Sequence, residues 1–183
     1  VSPDLACSRP YPVNRADVEA RIQDAHDNNR DLNLSGEDLS GLDLRHADLR
    51  GANLRGTDLW RTDLKGSDLR SANLWRADLR GADLRDTYWD GLVIDHLPSG
   101  CVYLIPTPDG WYMQIGCWWG TPDELRSLIA QDEGWPKAED EEATRRRPYL
   151  EAALALCEVH MTDHTDVIDD LRKRWGSNKD VAA

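Results

Sequence analysis

A chain of 183 residues with a formal charge of −12 is long enough for one ordinary domain, or for a repeat module with a modest second domain. So acidic a balance disfavours nucleic acid or an anionic membrane surface as the direct partner, since phosphate binding needs a basic footprint; a basic protein fits better. No apolar run approaches the roughly 20 residues that span a bilayer and no secretory leader is recognisable, so a soluble, cytoplasmic protein without a membrane partner is expected.

The first 30 residues hold a helix signal. NRADVEARIQDAHDNN opens near Asn14 and sets Val18, Ile22 and Ala25 on one side. It is expected to lie over whatever follows.

From Leu34 to Leu84 leucine returns every fifth residue, eleven times. Neither a helix of period 3.6 nor a strand of period 2 generates that spacing. Two residues before most of these leucines stands Ala, Ser or Thr; directly before each stands Asp or Asn, and Arg often follows. In extended chain the Leu and the small residue point one way and the flanking polar pair the other.

The runs DLRHA, DLRGA, NLRGT, DLWRT, DLKGS and NLWRA resemble the pentapeptide-repeat family, whose motif is roughly A(D/N)LxX. The resemblance implies a mainly β fold: a right-handed quadrilateral β-helix of about three coils in which residues twenty apart stack. On that scheme Asn33, Asn53 and Asn73 form one column, Asp38, Asp58 and Asp78 the next, and Asp43, Asp63 and Asp83 a third. Arg45, Lys65 and Arg85 accompany the third column and Arg50 and Arg70 the fourth face, which makes those faces electrically mixed. The second face carries Ser40, Trp60 and Arg80 and is the least neutralised. Asp38, Asp58, Asp78 and Trp60, with the outward Trp75, are therefore candidate partner-binding residues.

The first coil departs from the pattern with Leu32, Glu37 and Leu42 at small-residue positions. Glu37 is expected to reach solvent or the preceding helix, because an inward carboxylate is costly unless paired. At Tyr88 and Trp89 the repeat stops, giving boundaries of 1–30 for the N-terminal segment and capping helix, 31–92 for the β-helix and 93–183 for a small α+β C-terminal domain.

In that last part CVYLIPT, PDG and WYMQIGCWW read as a hairpin. Thr121-Pro122-Asp123-Glu124 is a capping box opening DELRSLIAQ, and a further helix is expected over Tyr149 to Met161. AEDEEATRRR suits a helix dipole or a solvated linker. Trp118 and Trp119 are additional candidates for a partner or homodimer surface. The stretch from Ile115 to His160 is similar to segments that follow pentapeptide repeats in actinobacterial and phage proteins.

Cys157, His160 and His164 share helical spacing and could offer metal ligands, although no fourth ligand is evident. The four cysteines form no C-x-x-C pair. No phosphate-binding loop, nucleophile elbow or H-E-x-x-H motif occurs, so no catalytic residue, metal or cofactor is expected. The family resemblance implies a non-catalytic interaction protein, with two forms open. One mimics DNA to occupy gyrase or another basic DNA-binding protein. The other is a scaffold whose acidic, Trp-rich C-terminal domain makes the contacts.

Overall fold

A computed structural model of the chain describes residues 13–131 and 140–177. Helix α1 spans Arg15–Asp27, and the repeats follow. A four-stranded antiparallel sheet comes next: β1 Leu92–Leu97, β2 Gly100–Thr107, β3 Gly110–Ile115 and β4 Trp118–Gly120, in sequential order. Helices α2 Pro122–Ile129, α3 Asp140–Asp163 and α4 Val167–Trp175 complete the fold.

In the repeats, parallel bridges join residues twenty apart, from Asn33 with Asn53 to Asp68 with Tyr88. Backbone hydrogen bonds run between the same layers, as in Leu34 N–H to the Asn53 carbonyl at 2.8 Å and Asn53 N–H to the Leu32 carbonyl at 2.8 Å. The leucines from Leu34 to Leu79 are buried, with Ala52, Ala72 and Ala77 between them. Large and small side chains alternate inward and form one buried cluster.

Each corner is a tight turn. Glu37 N–H donates to the Leu34 carbonyl at 3.2 Å, and the pattern recurs at Leu42, Ala47, Ala52 and Thr57. Every fifth residue from Gly36 to Asp86 takes a φ between 55° and 71°, which suits glycine and costs other residues about 1 kcal/mol. His46, Arg61, Ser71, Arg76 and Asp86 accept that cost.

The Asp or Asn before each Leu has a local task. Its Oδ1 accepts the backbone N–H two residues on, from Ser35 to Asn33 through Arg85 to Asp83. The repeat selects this residue type because only a short side-chain oxygen closes such a turn. The Asn column is thus held by its own backbone at each level.

α1 begins with Asn14 and Asp17 in a reciprocal capping box, and its Val18 and Ala25 join the leucine cluster. Arg15 donates to the carbonyl of Asp43 at 3.0 Å, and Arg21 donates to that of Asn33. Glu37 meets Arg21 at 3.0 Å.

Strand β2 is buried on both faces, its side chains alternating between two cores. Tyr103 and Ile105 of β2 join the repeat core; Val102, Leu104 and Met113 join a second core with α2 and α3. The hairpin expected at PDG is there, but β1 and β4 extend it on either side. α2 starts at Thr121 with its capping box as expected. α3 is longer than expected, because 140–147 is helical and Pro148 lies inside the helix. α4 carries no counterpart in the sequence reading. It ties back to the repeats: Trp175 Nε1 donates to the Ser71 carbonyl at 3.0 Å, and Arg174 meets Asp31 at 2.6 Å and the Gly51 carbonyl at 3.3 Å.

Candidate partner-binding edge

Most charges of the repeats satisfy one another. Arg45 pairs with Asp43, Arg50 with Asp48, Arg70 with Asp68, Arg80 with Asp78, Arg85 with Asp83, and Lys65 lies 3.8 Å from Asp86. The pairs leave their mark on the carboxyls. The Arg45 guanidinium holds Asp43 well below the ordinary carboxylate range, and Arg85 holds Asp83 at about 2.

Three guanidiniums stand apart. Arg55, Arg61 and Arg76 have no carboxylate partner among the described residues, and each lies over a tryptophan. Arg55 and Arg76 are both 4.6 Å from the Trp75 ring centroid, and Arg61 is 4.3 Å from that of Trp60. Trp60 is 43 % exposed and Trp75 half-buried. Arg61 and Arg76 occupy left-handed corners, so the backbone itself aims them back across the preceding ring. Cation–π contacts at such sites are worth about 0.5–1 kcal/mol each. They cover ring faces of Trp60 and Trp75 with guanidinium, so that positive charge is held on an aromatic backing.

The face between these corners carries the aspartate column expected to bind a partner, and its three members differ. Asp38 is exposed, accepts both the hydroxyl and the amide of Ser40, and is shifted down by them. Asp58 is exposed and accepts the Trp60 amide at 2.9 Å. Asp78 is half-buried: burial works to raise its pKa, but Arg80, the Arg80 amide and Gln114 together hold it below the ordinary value. Asp78 is therefore built into the junction with the sheet.

Trp118 and Trp119 do not share a face. Neighbours along β4, they point oppositely, Trp118 into the helix-side core and Trp119 toward the repeat core, where it stacks on Tyr112 at 5.5 Å. Both are half-buried packing residues. Cys157 is buried among leucines, and burial pushes its thiol up to about 12. His160 Nε2 is 2.9 Å from the Asp90 carbonyl, and His164 Nδ1 is 2.9 Å from the His160 carbonyl. The two imidazoles stack on each other at 4.0 Å and His160 meets Trp111 edge-on. Among the described residues no cluster of three or more His, Cys, Asp or Glu is arranged to hold a metal, and no helix is long and apolar enough to cross a membrane.

The guanidiniums over Trp60 and Trp75 were not foreseen from sequence. A signal existed: Arg61 and Arg76 stand where glycine usually turns the corner.

A parallel stack of five-residue turns defines a solenoid-type repeat protein segment. Residues 30–61 and 47–86 match the Pentapeptide repeats family, in eight copies, and this segment is a run of pentapeptide repeats. Such repeats imply a right-handed β-helix, and their proteins are in general non-catalytic interaction or structural proteins. Solved structures similar to the chain include a pentapeptide repeat protein from the cyanobacterium Cyanothece, at 35% identity over 31% of this chain and 39% of that one, TM-score 0.31. HetL of the cyanobacterium Nostoc, involved in heterocyst differentiation regulation, is 39% identical over 31% of this chain and 27% of its own, TM-score 0.30. A thylakoid-lumen protein of Arabidopsis thaliana is 31% identical over 32% and 44%, TM-score 0.28. The chain spans less than half the length of each of these three. No curated protein matches it.

Proposed function

We propose that the chain is a non-catalytic protein-interaction module. In this reading residues 31–92 are a rigid four-sided platform of about three coils, α1 caps its first coil, and 93–183 form an α+β unit on its last. The partner is a protein that lays an acidic segment across the edge formed by Trp60 and Trp75. What carries the reading is the placement of Arg55, Arg61 and Arg76: three guanidiniums without a carboxylate partner among the described residues, all on the two tryptophans, in a chain of net charge −12. Tryptophan and arginine are the residues most enriched at interface hot spots. A cytoplasmic setting accords with the free thiols of Cys101, Cys117 and Cys157.

DNA mimicry toward gyrase or another basic DNA-binding protein is the second reading, favoured by the net charge and by Asp58, which contacts no cation within ion-pairing distance among the described residues. The pairing of Asp43, Asp48, Asp68, Asp78 and Asp83 with arginines weighs against a continuous acidic surface. Affinity capture from the native host with the full chain, beside Trp60→Ala and Trp75→Ala, tests the first reading. The expected result is a partner retained by the wild type and lost by the variants; equal retention by all three overturns it. A supercoiling assay separates the second, which requires gyrase inhibition that Asp58→Asn weakens.

A further inference from the structure

Helix α3 is apolar on two opposite sides. One side, with Leu150, Ala153, Leu154 and Cys157, is buried against α2 and the sheet. The other carries Tyr149, Ala152, Leu156 and Val159, and here Tyr149 is 47 %, Leu156 50 % and Val159 59 % exposed. Together with Trp60 and Tyr88 these are the large apolar side chains that the described residues leave most open to water.

Their spacing has a pattern of its own. From Arg145 the steps to Tyr149, Ala152, Leu156, Val159 and Asp163 alternate four and three residues, the seam of a coiled coil rather than the wider stripe of a helix packed on a globular core. All six positions are exposed on one side of α3. The seam is about 27 Å long at 1.5 Å per residue.

The order of residues along it selects the partner. Turn a second copy of the helix antiparallel about a twofold axis at its middle, and Ala152 meets Leu156, Tyr149 meets Val159, and Arg145 meets Asp163, each contact occurring twice. Small faces large in the central layers, and opposite charges close both ends. Neither Arg145 nor Asp163 has an ion-pair partner among the described residues, so each is available for the other chain. A parallel pairing would set Arg145 against Arg145 and Asp163 against Asp163.

We propose that α3 is an antiparallel homodimerisation seam and that its occupant is α3 of a second copy of this chain. The inference is independent of the proposed partner-binding edge, which lies on the repeats. A twofold dimer through α3 presents two such edges at once, so that a repetitive acidic partner is gripped bivalently.

Sedimentation velocity on the full chain over a concentration series to about 100 µM tests it, within the range where a small interface of this kind associates. The wild type is expected to pass from monomer to dimer. Leu156→Glu should weaken association roughly tenfold or more with an unchanged circular dichroism spectrum, since the side chain is half exposed. Arg145→Asp and Asp163→Arg should each weaken it by roughly two- to fivefold, and the double variant should return to wild-type affinity because the two charges still oppose each other. A monomer throughout, a dimer indifferent to Leu156→Glu, or a double variant no better than the singles each overturns the proposal.

Discussion

The two ends of the repeat stack face opposite problems. In the stacked layers the N–H groups of the Leu and corner positions point toward the following layer, whereas the N–H of each Asp or Asn points back to a carbonyl of the preceding layer, so the first layer exposes more carbonyls than N–H groups and the last more N–H groups than carbonyls. At the first layer α1 supplies donors: Arg15 to Asp43 and Arg45, Arg21 to Asn33. At the last layer the sheet supplies acceptors. Leu79 N–H donates to Gln114 Oε1 at 3.0 Å and Gly81 N–H to the Tyr103 hydroxyl at 3.1 Å, in place of the carbonyls that another layer would have provided. The chemistry is complementary, but the surroundings differ. Arg15 and Arg21 are partly exposed, whereas Gln114 and Tyr103 are buried. Unsatisfied edges of β structure invite self-association, and the chain closes one with flexible cations and the other with packed side chains.

This difference makes the far end the costlier one to damage. Ile105→Ala, which empties part of the interface between β2 and the repeat core, should destabilise by about 3 kcal/mol in chemical denaturation. Gln114→Leu strands the Leu79 amide and leaves Asp78 one donor short, for a loss of about 2 kcal/mol. Arg21→Gln at the exposed end should cost about 1 kcal/mol or less, because water can replace the guanidinium. If Arg21→Gln proves as damaging as Gln114→Leu, exposure is not what separates the ends.

Between the ends, buried hydroxyls provide a finer contrast. Thr62 Oγ1 donates to the Leu39 carbonyl at 2.8 Å, while Ser67 Oγ is buried with no partner. Thr62→Ala should cost about 1 kcal/mol and Ser67→Ala should be neutral within about 0.5 kcal/mol, read as shifts in melting temperature. The smallest effect is on pH. Asp43, Asp48, Asp68, Asp78 and Asp83 all titrate below their unfolded values. The unfolded chain therefore binds protons first as pH falls, and stability should be full above about pH 4. It should decline as the medium is acidified through the folded value of Asp83, about 2. A melting temperature unchanged between pH 5 and pH 2 would show that these pairs contribute nothing.

Much of this was legible in the order of residues, where the signal is local. Leucine at every fifth position located the repeats, Asn14 and the Thr121 box placed two helix starts, and Glu37 was expected to leave the interior and meets Arg21. The sequence did not disclose β1 or β4: LVIDHL carries two polar residues at its end and the last strand is three residues long. The first turns of α3 carry no apolar period, so only its part from Tyr149 onward is legible. The site was legible only in outline. Trp60 and Trp75 are marked by their outward positions, but a repeat pattern does not distinguish an aspartate that binds a partner from one that accepts the amide two residues on, as Asp38, Asp58 and Asp78 do. Pairings across 35 or 104 residues, such as Gln114 with Leu79 and Trp175 with Ser71, leave no periodic trace.

The return of α4 to the repeats alters how the molecule should come apart. Stacked repeats ordinarily fray from a free end, one unit at a time, since each unit touches only its neighbours. Here Arg174 grips Asp31 across 143 residues of chain and Trp175 is tied to Ser71. Through α4 the earliest repeats are thus tied to an element more than a hundred residues further along the chain. Contacts of such sequence separation slow folding, and separating α4 from the repeats must break the Arg174 and Trp175 contacts together.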